Sequence, residues 1–365
     1  MTPPESPTST PISGPYNEPA QPVEWPWKLF FTFLGLFALT SRGHTGSIDE
    51  ESLLYASSRI VQDALGMLGI AWSMPDPPLL GMRLFTTYEP GQPLLAVPFY
   101  LAGSLVASIF PLESHTYVTR LVATFFGAVV TAATIARLYQ CGRVLGQGST
   151  AATFMAATYG IGTLAWPYAR TLFREPLTGF ALLSAAYALV RLHERPGWRP
   201  AVIGWGWVLL AVMTKLAAVF TVPIFALYFA GRHFRRRRSA SGAGGSKTWA
   251  RVRSGWWRSG GVIAVAVTVL IVVLAALVFQ NRWKQLGPYL SQTGLFTGDF
   301  SYVPVAFYGL TLSPGKGLLV FAPPVLAGLV GLYLLLRQRR AEALLFAGLF
   351  AVFLGVYSFN TSWHG

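Results

Sequence analysis

Residues 260–279 read GGVIAVAVTVLIVVLAALVF, a run without a single charged side chain. About 20 consecutive apolar residues are enough for one helix to cross the hydrocarbon core of a bilayer. The whole chain shares this character, because 53% of its 365 residues are hydrophobic and only 12% are charged. Soluble domains carry about 25% charged residues, so the composition excludes a water-soluble enzyme and a disordered chain. The single cysteine, Cys141, also excludes a disulfide scaffold.

Further apolar segments lie on both sides of this run. They cover residues 25–40, 92–110, 117–137, 149–167, 176–192, 201–214, 216–231, 303–336 and 341–357. The pattern predicts an all-α membrane protein, a polytopic transmembrane helix bundle with about nine or ten membrane segments. Residues 1–24 are rich in Pro, Ser and Thr and are predicted to form a disordered cytoplasmic tail. The remainder, 25–365, is predicted to be one multi-span transmembrane domain.

The distribution of basic residues predicts the orientation of the chain. The loop 232–258 contains four consecutive arginines, 235–238, and no acidic residue, which is typical of a cytoplasmic loop. This orientation places the loops 41–90 and 280–302 outside the cell, together with 168–175 and 358–365. It predicts a multi-pass protein of the plasma membrane. The net charge of +14 is therefore assigned to topology and to contacts with membrane lipids, not to nucleic-acid binding.

One pair of segments conflicts with this orientation. If both 92–110 and 117–137 crossed the membrane, Arg137 would return to the outside. The preferred interpretation is that 92–110, which contains Pro93 and Pro98, does not cross completely. The alternative is that Arg137 and Arg143 lie outside, against the usual charge distribution.

The first outer loop contains two acidic motifs. Residues 46–55 read GSIDEESLLY, and apolar residues at helical spacing predict an amphipathic, interfacial helix over 48–66. Ser47 can cap this helix, and acidic residues are favoured in its first turn. The acids then either serve a site or only cap and solubilise the helix. The second motif, Tyr88-Glu89-Pro90, is either part of a site or a solvated turn.

Taken together, the motifs resemble a known family of membrane enzymes. The resemblance covers about 25–365 and is carried by Asp49-Glu50, Tyr88-Glu89-Pro90, Phe173-Arg174-Glu175-Pro176-Leu177, Met213-Thr214-Lys215, the stretch from Asn281-Arg282-Trp283 to Gly298, the phrase from Leu312 to Pro323, and Ser362-Trp363-His364-Gly365. In order and spacing they are similar to the polyprenyl-phosphate-dependent glycosyltransferases of the GT-C fold. This family includes bacterial relatives of protein O-mannosyltransferases and of the aminoarabinose transferase that acts on lipid A.

The resemblance implies a reaction and a set of residues. A sugar would pass from a polyprenyl-phosphate donor to an acceptor hydroxyl on a protein, a lipid or a glycan. The catalytic residues implied are Asp49, Glu50 and Glu175. Asp49 would be the general base, Glu50 would orient it or assist a metal, and Glu175 would be a second acid that faces Asp49 across the site. The substrate-binding residues implied are Lys215, Arg174, Tyr88, Glu89 and Arg282.

Each of these residues also has a structural interpretation. Glu175 can pair with Arg174 or Arg170 at a helix start, Lys215 can extend to the nearest interface, and Arg282 can be an interfacial charge. A divalent metal is possible, with Glu89 and His364 as weak candidate ligands, but no His-x-x-x-His or Cys pair is present.

The family usually continues beyond its Trp-His-Gly element, so the chain, which stops at Gly365, is expected to be a truncated fragment. The position before the proline at residue 90 is often Lys in the lipid A enzyme and is Glu89 in this chain. Two other functions compete with sugar transfer. A lipid or glycolipid transporter would show repeated segments and charges at mid-membrane depth, which the sequence does not show. A non-catalytic membrane fragment is the third interpretation.

Overall fold

The computed structural model describes residues 24–67, 88–194, 198–231 and 300–359. Every regular element in these ranges is helical, and they contain no strand, so the predicted all-α class is confirmed for this part of the chain. The predictions for the basic loop 232–258, the apolar run 260–279, Arg282 and His364 lie outside the described residues.

The helices follow one another with short connections. In chain order they are α1 (Trp27–Leu39), α2 (Ile48–Met67), α3 (Gly91–Ala107), α4 (His115–Val144), α5 (Ser149–Gly162), α6 (Ala165–Ala169), α7 (Glu175–Glu194), α8 (Trp198–Thr214), α9 (222–231), α10 (Val303–Thr311), α11 (Leu318–Phe321), α12 (Pro324–Gln338) and α13 (Arg340–Ser358). Short 3₁₀ helices cover Leu112–Ser114 and Leu216–Thr221. The helix predicted over 48–66 is thus present as α2.

The predicted apolar segment 303–336 is divided into α10, α11 and α12. A turn containing Pro314 and Gly317 separates the first two, and Pro323 precedes the third. The turn is so tight that a Cβ atom on Gly317 would lie 2.5 Å from the carbonyl oxygen of Ser313. Hydropathy alone does not register such breaks, because the turn residues interrupt the backbone hydrogen bonding without adding much polarity.

The longest helix, α4, organises the amino-terminal half of the structure. Its 30 residues extend over about 45 Å. Phe33 and Phe37 of α1 pack with Ala132 and Ile135 in the carboxyl-terminal half of α4. Against the amino-terminal half, α3 packs its Phe99 ring edge-on to Phe126 at a centroid distance of 5.5 Å.

The position of α3 bears on the conflict over segments 92–110 and 117–137. A Cβ atom on Gly103 would contact the backbone of Thr119 at 2.8–3.0 Å, so the carboxyl-terminal part of α3 lies close to the beginning of α4. The helix α3 therefore runs back along the first part of α4. A complete and a partial crossing of 92–110 both allow this packing, so the partial crossing stays a prediction.

Two described helices are long and apolar enough to cross a membrane, Leu112–Val144 and Arg340–Ser358. Five further apolar helices, including Trp27–Leu39 and Pro324–Gln338, are shorter. Much apolar surface faces outward: α12 has no buried residue, and only 22% of the apolar window of Arg340–Ser358 is buried. Exposed apolar surface of this extent is unusual for a monomer in water.

Candidate functional site

The amino-terminal end of α2 is held in place by its own capping residues. The Ser47 hydroxyl accepts a hydrogen bond from the Glu50 N–H at 3.3 Å, as the sequence predicts for a helix cap. Glu50 in turn accepts from the Gly46 N–H at 2.6 Å, so this carboxylate closes the turn before the helix. These two hydrogen bonds hold the first turn of α2, and they therefore fix the backbone from which the Asp49 side chain extends.

Glu50 also connects α2 to the segment before α7. Its other carboxylate oxygen accepts a hydrogen bond from the Leu172 N–H at 2.8 Å, and the side chain is only 1% exposed. The Leu172 carbonyl accepts a hydrogen bond from the Gln92 side chain, which is fully buried. Two long-range contacts thus hold the peptide of Leu172 between α2 and α3, just ahead of Arg174 and Glu175.

Asp49 points away from this buried contact and is exposed. The Tyr88 hydroxyl donates a hydrogen bond to its carboxylate. Burial raises the pKa of the Tyr88 phenol, and the hydrogen bond to Asp49 raises it further. Tyr88 therefore remains a protonated donor at physiological pH and orients the Asp49 carboxylate while leaving it open to solvent.

Glu89, the next residue, is buried and paired with Arg174. The Arg174 guanidinium forms a salt bridge with one carboxylate oxygen of Glu89. The other oxygen accepts a hydrogen bond from the Leu216 N–H at 3.2 Å. The same guanidinium lies over the Tyr88 ring, with its Cζ atom 4.4 Å from the ring centroid. Tyr88 thus contacts the predicted base on one side and a predicted cation on the other.

A second ion pair lies next along the chain. Lys215 Nζ is 2.5 Å from a carboxylate oxygen of Glu175, the first residue of α7. The ammonium also lies 5.0 Å from the centroid of the Tyr357 ring. Lys215 has an extended backbone between α8 and the 3₁₀ helix Leu216–Thr221, so the predicted interruption of the apolar stretch at this residue is present.

Close backbone packing brings the two ion pairs onto neighbouring elements. A Cβ atom on Gly91 would lie 2.7 Å from the carbonyl carbon and oxygen of Met213 and 2.8 Å from the Thr214 nitrogen. Only glycine allows the start of α3 to approach the end of α8 this closely. The contact places Glu89, two residues before Gly91, within reach of the backbone that follows Lys215.

The structure therefore brings together six of the residues singled out in the sequence, from four separate segments. They are Asp49, Tyr88, Glu89, Arg174, Glu175 and Lys215. Of the structural alternatives, the pairing of Glu175 with Arg174 is not what the structure has, because Arg174 pairs with Glu89 and Glu175 with Lys215. The Lys215 side chain is only 16% exposed and pairs with Glu175, and its position relative to the membrane interface stays a prediction.

Glu50, which the resemblance places beside the base, has surroundings quite different from those of Asp49. The side chain is buried, and both carboxylate oxygens accept backbone hydrogen bonds. It is placed to position α2 against the segment before α7 and has no surface on which to contact a substrate. The third acid of the run, Glu51, forms an ion pair with Arg120. Arg120 Nη2 donates to one carboxylate oxygen at 2.9 Å, and Arg120 Nε lies 2.9 Å from the other oxygen.

Within the ranges that the structure describes, no group of three or more His, Cys, Asp or Glu side chains is arranged to hold a metal ion. Glu89, one of the two weak metal candidates, has its carboxylate occupied by Arg174 and the Leu216 N–H. The other, His364, lies outside the described residues, as does Arg282.

Three neighbours of the site were not predicted. Tyr357 faces Lys215, Arg120 pairs with Glu51, and Gln92 holds the Leu172 carbonyl. Tyr357 ends the last apolar segment, next to the predicted outer loop 358–365. Its position in the sequence could therefore have indicated that it lies near the other outer residues of the site. Nothing in the local sequence around Arg120 or Gln92 points to partners 69 or 80 residues away.

The arrangement combines an accessible carboxylate with two cations that are shielded from solvent. An exposed carboxylate can accept a proton from a bound hydroxyl. Partly buried guanidinium and ammonium groups can stabilise a developing negative charge more strongly than they would in water. No protein-family model, curated protein or solved structure matches the chain.

Proposed function

We propose that the chain is a multi-span membrane glycosyltransferase of the GT-C type, acting on a polyprenyl-phosphate sugar at the extracytoplasmic face of the plasma membrane. One observation carries the proposal: Asp49 and two acid–cation pairs converge at one end of the helices from four distant segments. Ionisable side chains among apolar helices are costly, and their collection in one place favours a function. The resemblance of the motifs supplies the reaction class.

The membrane part of the proposal rests on the apolar helices. The two long apolar helices and five shorter ones expose much of their apolar surface, as expected of helices that contact lipid. The basic residues of the predicted cytoplasmic loops support an orientation in which the end containing Asp49 lies outside the cell. A donor with a polyprenyl chain stays in the bilayer, so a site at this end of the helices is in the right place to meet its phosphate and sugar.

The proposed reaction is a single displacement at the anomeric carbon. The acceptor oxygen forms a bond to this carbon as the bond to the phosphate oxygen breaks, and Asp49 takes the acceptor proton. General base catalysis of this kind contributes typically 10²–10⁴-fold. The bonding electrons leave with the polyprenyl phosphate, whose added negative charge needs nearby cations.

Arg174 and Lys215 are the cations that serve the leaving phosphate in this proposal. Each is held by one carboxylate, Glu89 or Glu175, so each is fixed before the donor binds. Charged groups held in place in advance stabilise a transition state without reorganising during the reaction. In this scheme Glu175 acts as a positioning residue for Lys215, a more limited role than the direct catalytic one implied by the resemblance.

Transfer of labelled sugar tests the proposal against the transporter alternative. The purified chain is reconstituted into vesicles containing polyprenyl-phosphate mannose or polyprenyl-phosphate arabinose labelled in the sugar, and cell-envelope extract is added as the acceptor source. We expect label to leave the donor and appear on acceptor material. Label that crosses the vesicle bilayer while it remains on the donor would replace the proposal with transport. Label that neither moves nor transfers from either donor would contradict both functions.

Substituting Tyr88 by Phe tests the orientation of Asp49. The variant keeps the ring that faces Arg174 and removes only the hydroxyl that donates to the Asp49 carboxylate. Loss of one hydrogen bond at this partly exposed position is expected to lower the transfer rate about three- to tenfold. Steady-state kinetics should show the loss in kcat with KM for the donor unchanged. An unchanged kcat would contradict the role of the Tyr88 hydroxyl in orienting Asp49.

A further inference from the structure

A cavity of about 300 Å³ lies between α4, α7 and α8, away from the site described above. Pro200 and Ile203, at the beginning of α8, line it, whereas Lys215 follows the end of that helix. The residues that line it are Arg137, Ser184, Tyr187, Ala188, Arg191, Pro200, Ile203 and Trp207. The lining is apolar except for two guanidinium groups, one hydroxyl and one phenol.

The two arginines are brought together by a single aromatic ring. Arg137 Cζ lies 4.7 Å and Arg191 Cζ 5.6 Å from the centroid of the Tyr187 ring. Arg137 donates to Gln140 Oε1 at 2.8 Å, and Arg191 donates to the Tyr187 hydroxyl at 3.0 Å. Among the side chains that the structure describes, no carboxylate forms a salt bridge with either guanidinium. A bound anion would stabilise two positive charges held this close together.

Two polar atoms at this cavity have no partner. The Ser184 side chain is 1% exposed and its hydroxyl has no hydrogen-bond partner, and Arg137 Nε is also buried and unpaired. Buried polar atoms are normally paired, so an unpaired hydroxyl and an unpaired N–H at one cavity indicate a missing acceptor. Both groups are donors, as a phosphate oxygen requires.

Apolar surface lies beside the cavity at the beginning of α8. Ile203, which lines the cavity, is 53% exposed, and the adjacent Val202 is 39% exposed. A site for a small free anion gains nothing from apolar residues beside it. A phosphate that carries acyl chains would bury its charge against the two arginines and lay its chains on this surface.

We propose that this cavity binds the phosphate of an anionic phospholipid, with Arg137 and Arg191 as its cations and Ser184 as a hydroxyl donor. The site is independent of the proposed sugar transfer, because it lies at the other end of α8 and shares no residue with it. The bound lipid would neutralise Arg137, a charge on α4, which is one of the described helices that are long and apolar enough to cross a membrane.

Retention of lipid by the full chain tests this inference. The protein is reconstituted into nanodiscs of equal amounts of phosphatidylglycerol and phosphatidylcholine, released in the mass spectrometer, and the lipids that remain bound are counted. We expect one retained phosphatidylglycerol per chain. Arg191→Gln should reduce its retention about fivefold, in keeping with the contribution of one arginine near anionic lipid. Ser184→Ala should also reduce it, with less risk to the fold.

Arg143→Gln is the matched control. Arg143 is an exposed arginine of the same helix as Arg137, does not line the cavity, and donates to the Gln147 carbonyl at 3.0 Å. Its substitution should leave retention unchanged. Equal retention of the two lipids, or an equal loss with Arg143→Gln, would overturn the inference. In detergent, titration with inorganic phosphate should give no saturable binding; saturable binding lost in Arg191→Gln would assign the cavity to a free anion instead.

Discussion

Replacing Asp49 by Asn is expected to slow sugar transfer about 10²–10⁴-fold. Asparagine is nearly the same size and retains one oxygen that can accept the hydrogen bond from Tyr88. It cannot take the proton of an acceptor hydroxyl. The loss should therefore appear in kcat, and KM for the polyprenyl-phosphate donor should change little. The measurement is the initial rate of label transfer at saturating donor.

Asp63→Asn provides the control for this prediction. Asp63 lies on the same helix as Asp49, its side chain is 63% exposed, and its partner is Arg59 at 3.5 Å. Its substitution removes the same charge from α2 without touching the candidate site, so the rate should remain that of the unchanged chain. Equal rates for Asp49→Asn and the unchanged chain would eliminate Asp49 as the base. Equal losses in both variants would indicate a general effect of charge.

Glu50→Ala is expected to have the largest effect on stability. The substitution removes a buried carboxylate and leaves the N–H groups of Gly46 and Leu172 without their acceptor. A buried donor without a partner costs about 1–3 kcal/mol, and the lost packing adds to this. We expect a decrease of about 3–5 kcal/mol in the free energy of unfolding. Thermal unfolding of the protein in lipid nanodiscs would measure it as a lower transition temperature.

Glu50→Gln separates hydrogen bonding from packing. The glutamine fills the same volume but has only one acceptor oxygen, so one of the two N–H groups loses its partner, at a cost of about 1–3 kcal/mol. Asp63→Ala should change the free energy of unfolding by less than about 0.5 kcal/mol, because the side chain is exposed. A Glu50→Ala variant as stable as Asp63→Ala would contradict the positioning role of Glu50.

For the acidic run 49–51, the sequence predicts the helix but not the direction in which each acid faces. The spacing of apolar residues correctly predicts a helix over 48–66, and Ser47 caps it. Successive residues of a helix point about 100° apart, so three neighbouring acids must face three directions. Which acid faces outward is decided by Leu172 and Arg120, which are 122 and 69 residues away from their partners. A local pattern contains no information about these contacts.

For the cations too, the sequence predicts a position in the chain but not the residue that it contacts. Lys215 stands out in the sequence because it interrupts an apolar stretch, and the structure has a break in the helix at this residue. The sequence does not predict that Lys215 pairs with Glu175, because Glu175 also has Arg174 and Arg170 close to it in the chain. The choice depends on how α3, α7 and α8 pack, and on the close approach that Gly91 allows at Met213.

Labelling of introduced cysteines from either side of a sealed vesicle tests the central claim most directly. Asp49→Cys and Glu175→Cys are made separately, and the natural Cys141 is buried, so it should contribute little background. A membrane-impermeant maleimide is applied from the outside and then, after permeabilisation, from the inside. The account predicts that both positions are labelled from the extracytoplasmic side. Labelling of the two positions from opposite sides would contradict it, because one site could not then contain both.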